Sequence, residues 1–315
     1  MRSADAVKAV AASLGFHACG VTDLSPTPHA RELDAWLEAG YAGTMRYLHR
    51  QAAHRREPGR IVAGARSAVV VLDNYFYPDT AADALPPRVA KYARGTDYHI
   101  TTMRRIEGVA AFLRSSGAKI ARAFVDAGPV PERELAQRAG LGWIGKNTML
   151  IRPGSGSFFF IGVVLTDLEF EPDPTFEADR CGSCTLCLDA CPTQAFVGPR
   201  VLDATRCISY LTIEHHGPIP NDLGAKFEGW AFGCDTCNDV CPWNQRFAAP
   251  SPHRAFKRRD IPAKEPDYFE TMNDVDFDAR FGDTPLERPG LDGMRRNWKV
   301  ALDSAEDGDT VVTGR

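Results

Sequence analysis

Cys181-Gly182-Ser183-Cys184-Thr185-Leu186-Cys187-Leu188-Asp189-Ala190-Cys191-Pro192 is the stretch that decides how this chain is read, and Cys234-Asp235-Thr236-Cys237-Asn238-Asp239-Val240-Cys241-Pro242 is its shorter echo. Gaps of two residues let successive thiolates wrap the corners of a cuboidal iron–sulfur cluster. The fourth cysteine, turned away before a proline, reaches the other cluster of a pair. The echo is one ligand short, and Cys207, isolated in Arg206-Cys207-Ile208, is the expected supplier. Eight thiolates then serve two [4Fe–4S] clusters, with Cys181, Cys184, Cys187 and Cys241 on one and Cys191, Cys207, Cys234 and Cys237 on the other. Zinc asks for two C-x-x-C pairs closing one tetrahedron, a pattern that three cysteines at two-residue spacing fit poorly. Disulfides need an oxidising compartment, to which nothing in the sequence points.

Around this stretch, 315 residues that are 44% apolar and 25% charged make room for two domains and a sizeable core. The longest apolar run, Phe158 to Leu165, is too short to span a bilayer and reads as a buried strand. The start, Met1-Arg2-Ser3-Ala4-Asp5, has neither the apolar core of a signal peptide nor twin arginines, which predicts a cytoplasmic protein with reduced thiols and no membrane attachment. Net charge is −4 but unevenly placed: residues 1–126 hold 17 Lys and Arg against 12 Asp and Glu, and residues 260–315 hold 7 against 14. The basic clusters His54-Arg55-Arg56 and His253 to Arg259 suit a polyanion, with plain solvated surface as the alternative.

Helical periodicity runs from Ala4 to Leu14 and stops at Gly15, then returns over Pro28 to Ala39 and Met45 to Arg50. Cys19, outside both cysteine runs, reads as a buried inert thiol. Ser67 to Phe76 is β-branched and apolar, a buried strand. Lys91-Tyr92-Ala93-Arg94-Gly95-Thr96-Asp97-Tyr98-His99 precedes a helix reaching about Ser116, and its polar residues either bind a ligand or cap and pack. The strand Lys119 to Val125 delivers Asp126-Ala127-Gly128-Pro129, a carboxylate at a strand end where open α/β sheets place chemistry; a turn-capping role is the alternative. After a helix from Glu132 to Ala139 comes Gly140-Leu141-Gly142-Trp143-Ile144-Gly145-Lys146-Asn147. This matches G-x-G-x-x-G but follows a helix and leads to a strand, so it is no dinucleotide fingerprint; its glycines are expected to let backbone approach something large and flat. Alternating helices and strands make residues 1–170 an α/β (α+β) layer domain. A Pro172 and Pro174 linker opens a cysteine-rich domain over 171–250, an extension over 251–302 packs on the core, and 303–315 is expected to be disordered.

Asp126-Ala127-Gly128-Pro129-Val130, Gly142-Trp143-Ile144-Gly145-Lys146-Asn147, the run Tyr92 to His99, and both cysteine runs with Cys207 between them together resemble the epoxyqueuosine reductase family, from about residue 5 to residue 302. The resemblance implies a cobalamin-binding domain related to nitroreductase-like and reductive-dehalogenase-like folds, joined to a ferredoxin-like domain with two [4Fe–4S] clusters. It implies removal of the epoxide oxygen of epoxyqueuosine at the tRNA wobble position, with cob(II)alamin at rest, the tRNA anticodon stem-loop as partner, an external low-potential electron donor, and a monomer. Many family members continue into a C-terminal helical-repeat domain that helps grip tRNA, and this chain ends before one would fit. The D-x-H-x-x-G fingerprint of many corrinoid proteins is absent at Asp97-Tyr98-His99.

The resemblance also implies site roles. Asp126 is the general acid, protonating the epoxide oxygen as the C–O bond breaks, which asks for burial that keeps an aspartic acid protonated near neutral pH. Tyr98, His99, Asp126, Gly145, Lys146, Asn147 and Leu150, with Asn238 and Asp239 on the cluster side, are the expected cobalamin contacts. Two rivals remain: a corrinoid reductive dehalogenase, usually exported, and a non-catalytic electron-carrier subunit, which would show no corrin absorption.

Overall fold

The computed structural model of the chain describes residues 1–259 and 265–312, with side chains through residue 306. Its first half is built on a four-stranded sheet in the order β1 (Ala18–Asp23), β2 (Ser67–Asn74), β7 (Phe159–Thr166) and β4 (Ala121–Val125). All three pairings are antiparallel, with Gly20 opposite Val70, Val70 opposite Val163, and Phe124 opposite Val163. Every residue of β2 is buried, as its β-branched run demands, because helices cover both faces of the sheet. Val69, Val71 and Val164 face α1 (Asp5–Ser13) and α4 (Tyr98–Ser115). Val70, Leu72 and Val163 face α5 (Glu132–Arg138). The crevice rule invoked for Asp126 belongs to parallel sheets, so it does not apply here. Asp126 follows β4 directly, but in an antiparallel frame.

Between β1 and β2 lie α2 (Ala30–Glu38) and α3 (Arg46–Arg56). Alternation along α3 sorts its residues: Arg46, His49, Arg50 and His54 are exposed, while Tyr47, Gln51 and Arg55, four apart, are half-buried on one face. The G-x-G-x-x-G run becomes a hairpin of β5 (Trp143–Ile144) and β6 (Leu150–Ile151). Gly142 and Gly145 let the two arms of that hairpin close on each other. A Cβ at Gly142 would strike the Ile151 carbonyl, and one at Gly145 would strike the Ile151 side chain and Asn147 Oδ1.

In the cysteine-rich part each run closes a single helical turn, α6 (Leu186–Asp189) and α9 (Thr236–Asp239), and the two turns lie side by side. Pro242 opens α10 (Pro242–Phe247) at the position where a helix needs no N–H. A hairpin of β8 (Phe196–Gly198) and β9 (Val201–Leu202), then α7 (Ile208–Ile213), α8 (Asn221–Gly224) and β10 (Trp230–Phe232), fill the interval.

The domains are interleaved more than a linear division at residue 170 allows. The two-residue strand β3 (Arg88–Val89) pairs in parallel with β10. Val89 and Ala93 share a core with Phe232, with Phe277 and Phe281 of α11 (Asp274–Phe281), and with Met294 and Trp298 of α12 (Gly290–Val312). Buried Lys91 holds the junction, its Nζ 2.8 Å from both Asp79 and Asp239. Helix α12 runs through Val312, where a disordered tail is expected from Asp303. Its continuation is anchored by Ser304, whose Oγ accepts from the Gly229 N–H at 3.1 Å. Residues 260–264 of the extension and 313–315 of the tail lie outside the described residues. Among the described residues no helix is long and apolar enough to cross a membrane.

Candidate active site

The eight cysteines of the two runs and Cys207 sort into two groups by the charge each would place on its neighbours. Burial raises the Cys187 thiol, and ionised Cys181, Cys241 and Cys184 raise it further. Cys241, also raised first by burial, feels Cys181 and Cys184. In the other group burial pushes Cys237 well above the ordinary thiol range, with Cys234, Cys207 and Cys191 adding to it. Burial and Cys207 push Cys234 up to about 12, although Thr236 bonds to it. Cys191 therefore stands with the second run, and Cys241 with the first. Such crowded, desolvated thiols ionise together only around compensating cations. Among the described residues no three His, Cys, Asp or Glu side chains converge as one metal ion would require, whereas a cluster offers its sulfurs separate corners. Trp143 Nε1 donates to Cys181 Sγ at 3.4 Å, and the Ala195 N–H to Cys191 Sγ at 3.3 Å, bonds of the kind that tune cluster potential. Cys19 stands apart, raised to about 12 chiefly by burial, which keeps it an unreactive thiol.

Asp126 turns the chain out of β4 with φ +46°, a left-handed conformation that aspartate tolerates better than most residues. Tyr98 and His99, the first residues of α4, hold it. The Tyr98 hydroxyl donates to Asp126 Oδ2, and the Tyr98 ring stacks on His99 with centroids 4.2 Å apart. Burial, then the Asp126 charge, drive the Tyr98 phenol far above its ordinary range, so it stays a donor. Burial pulls the His99 imidazole down, but its bond to Asp97 at 2.8 Å, the Asp97 charge and the adjacent Asp126 backbone more than reverse this and leave it raised. The Asp126 side chain is exposed. Protein atoms alone therefore do not supply the burial that a general acid was expected to need, because the loop projects from the sheet edge.

Helix α3 forms the facing wall. Arg55 donates to the carbonyls of Gly128 at 3.2 Å and Val130 at 3.3 Å, fastening the loop after Asp126. The Tyr47 phenol is raised by burial and then by Glu214, with Asp126 also within its electrostatic reach, and Arg288, bonded to Glu214 at 3.2 Å, completes the rim. Two buried atoms on this face, Gln51 Oε1 and Arg55 Nε, have no protein partner, as suits a wall that meets a polar ligand. Glu132, at the start of α5, is a neighbour that the reading of the sequence did not single out. Its signal was its place six residues beyond Asp126, with a turn between.

A bridge joins this loop to the cysteines. Arg133 donates to the Thr148 carbonyl at 3.2 Å, tying α5 to the β5–β6 turn. Asn147 of that turn donates to the Cys237 carbonyl and to Asn238 Oδ1, both at 3.3 Å, and Lys146 donates to the carbonyls of Gly182 at 2.7 Å and Cys184 at 2.8 Å. These side chains are committed to protein. So are those of Asn238, which accepts from Ser157 at 3.3 Å, Asp239, paired with Lys91, and Leu150, buried beside Val130 and Leu135. Gly145 is buried within the same turn. Of the nine expected cobalamin contacts, His99, Asp126 and, beside its Lys91 pair, Asp239 present exposed side chains. The basic run His253 to Arg259 is also largely engaged: Arg258 pairs with Asp83 at 2.8 Å, Arg259 with Asp283 at 2.6 Å, and His253 meets the Gly15 carbonyl at 2.9 Å. Arg254 and Lys257 of that run are exposed, as are Arg46 and Arg50 on α3.

Two family models match the chain. One, described as epoxyqueuosine reductase QueG, DUF1730, covers residues 55–127, and the other, a 4Fe-4S double cluster binding domain, covers residues 180–244. An epoxyqueuosine reductase of Pseudomonas aeruginosa is 39% identical over 311 residues, 96% of this chain and 86% of that protein. One of Cyclobacterium marinum is 40% identical over 298 residues, 92% of this chain and 94% of that protein. A crystal structure of an epoxyqueuosine reductase with an epoxyqueuosine-modified tRNA-Tyr stem loop superposes with a TM-score of 0.85 at 28% identity, covering 98% of this chain and 83% of that one. The Streptococcus thermophilus enzyme gives 0.78 at 25% identity over the same shares. Identity at this level, sustained from the sheet through both cysteine runs, means that the chain belongs to the epoxyqueuosine reductase family.

Proposed function

We propose that this protein reduces epoxyqueuosine in tRNA to queuosine, with Asp126 as the general acid. The observation that carries this reading is the carboxylate of Asp126, exposed and held by Tyr98, on the loop that leads into α5, from which hydrogen bonds of Arg133 to Thr148 and of Asn147 to the Cys237 carbonyl lead to the cysteines. Cys181, Cys184, Cys187 and Cys241 hold one [4Fe–4S] cluster, and Cys191, Cys207, Cys234 and Cys237 the other. Clusters pass electrons singly, and cobalamin, when bound, supplies the two-electron chemistry that turning an epoxide into an alkene requires. Tyr98, His99 and Asp126 would meet it with side chains. The turn from Gly145 to Leu150, with Asn238 and Asp239, would meet it mainly with backbone.

The chain's own part is to orient, to exclude water and to move a proton. Tyr98 aims the Asp126 carboxyl by donating to Oδ2, which leaves Oδ1 for the epoxide oxygen. Cover from cofactor and substrate, rather than from polypeptide, desolvates the acid when the base is in place. The exposed Arg46 and Arg50 on α3, with His49 and His54 beside them as hydrogen-bonding partners, grip the tRNA phosphates, while the neighbouring stripe of the same helix, through Tyr47 and Arg55, attends to the Asp126 loop. An external low-potential donor reduces the clusters, and the protein works as a monomer in the cytoplasm, where tRNA and reduced thiols both reside.

Asp126→Asn tests the assignment. The variant is expected to keep its iron, its cobalamin uptake and its affinity for the modified stem loop while turnover falls by about 10²–10⁴-fold, the usual weight of a general acid. Turnover at the wild-type rate would remove Asp126 from the chemistry.

A further inference from the structure

The two cysteine groups differ in what stands behind their sulfurs. Each packs on a buried tryptophan: Cys181 and Cys241 on Trp143, Cys207 and Cys234 on the core around Trp230. The Trp143 indole N–H reaches Cys181 Sγ directly, at 3.4 Å. The Trp230 indole N–H reaches Thr236 Oγ1 instead, at 3.2 Å, and that oxygen lies 3.3 Å from Cys234 Sγ. A Cys234 thiol can donate to Thr236, but a thiolate that holds iron has no proton to give. Trp230 then sets the direction of the contact. An indole nitrogen only donates, so its bond occupies the hydroxyl oxygen as acceptor and leaves the hydroxyl proton to the sulfur. Behind the ring stands a cation. Arg88 of β3 is in register with Trp230 of β10, and its guanidinium lies 4.4 Å from the centre of the indole, held there by the Glu228 carbonyl. A cation on the ring face draws on the π-electrons and strengthens the indole N–H as a donor.

We infer that Arg88, Trp230 and Thr236 form a relay that ends in a hydrogen bond from the Thr236 hydroxyl to Cys234 Sγ and raises the reduction potential of the cluster held by Cys191, Cys207, Cys234 and Cys237. The inference rests on the ligand assignment given above. Reduction adds one negative charge, and a donor aimed at a ligating sulfur stabilises that charge. The need is greatest at this group. Burial drives the Cys234 and Cys237 thiols upward, and the Asp235 charge adds to it, although Lys91 stands 3.9 Å from that carboxylate. Whatever resists charge on the thiols resists an added electron in the same place. The relay offsets that resistance, so the deep cluster can still be reduced. Thr236 makes the contact with the sulfur, and Trp230 and Arg88 are positioning residues behind it.

Redox titration of the anaerobic holoenzyme, followed by the electron paramagnetic resonance of each reduced cluster, is the test. In Thr236→Val the iron content should be unchanged. One midpoint should move to lower potential by about 59 mV, a roughly tenfold loss in the equilibrium constant for one electron, while the other stays. Thr236→Ser, which returns a hydroxyl, should return that midpoint. Trp143→Phe should lower the other midpoint and leave this one in place. Should the valine variant fail to assemble both clusters, Trp230→Phe decides. It keeps a ring beneath Arg88 and removes the N–H that orients the hydroxyl, so the midpoint that Trp143→Phe leaves in place should fall. Two assembled clusters with neither midpoint moved, a serine variant as low as the valine one, or one and the same midpoint moved by Thr236→Val and Trp143→Phe would overturn the relay alone. Iron for a single cluster in the wild-type protein would overturn the ligand assignment beneath it.

Discussion

The cysteine loops and the Asp126 loop handle reactive groups in opposite ways. Around the clusters the polypeptide is the container: Cys237 and Cys234 are thiols that burial drives upward, wrapped by single-turn helices and by bonds to sulfur from backbone and side chains. At Asp126 the polypeptide supplies only aim. A left-handed residue, a tyrosine hydroxyl and two arginine bonds to carbonyls fix the direction of a carboxyl that remains exposed. A resident inorganic group needs its cover at all times, because solvent would degrade it. An acid that must meet a base carried on a tRNA has to stay open until that base arrives. On the proposed reading, the contrast sets the deeply buried Cys234 and Cys237 apart from a reacting centre that is closed only by cofactor and substrate.

Removing a wall of the container should have the largest effect. Cys207→Ala deletes the proposed ligand that lies outside both runs, between them in sequence, and the iron content of anaerobically prepared protein should fall to about half, that of one cluster, with turnover abolished. Unchanged iron would mean that Cys207 is no ligand. On the open side, Tyr98→Phe removes the hydroxyl donated to Asp126 and nothing from the clusters. A hydrogen bond to a charged group is worth about 1.5–3 kcal/mol, so kcat should drop by about 10- to 150-fold, with iron unchanged. A drop in iron would show that the two regions are not separable in this way.

The contained region was legible in the sequence because cluster ligation imposes short, rigid intervals, and Cys181, Cys184, Cys187 and Cys191 display them in twelve consecutive residues. The buried strands were equally plain, since Ser67 to Asn74 and Phe159 to Thr166 have no polar face to show. The open region was legible only as a carboxylate beside a Gly-Pro turn. Its wall comes from α3, whose Tyr47, Gln51 and Arg55 are set by tertiary packing across more than seventy residues. No local spacing announces that Arg55 bonds to Gly128, or that Arg258 is taken up by Asp83 instead of facing tRNA. Strand direction was hidden for the same reason, and in the four-stranded sheet the pairing is antiparallel throughout.

The smallest expected effect concerns the joint between the two regions. Asn147 donates to the Cys237 carbonyl and to Asn238 Oδ1, both at 3.3 Å, at the long end of the hydrogen-bond range. In Asn147→Ala, Asn238 keeps its Ser157 partner, and the Asn238 carbonyl keeps the Asn244 amide at 2.9 Å, so the Cys237 carbonyl loses its side-chain donor and the Met149 N–H loses Asn147 Oδ1, to which it donates at 3.3 Å. The cost should be about 1 kcal/mol, and the thermal midpoint of the anaerobic holoenzyme should fall by about 2 °C. Lys146, bonded independently to Gly182 and Cys184, holds the turn against the other cluster loop, so the iron content should not change. If Asn147→Ala instead loses a cluster, the turn is part of the container rather than a strut between container and acid. The boundary between the two regions would then have to be moved from the cysteine loops to the hairpin of β5 and β6.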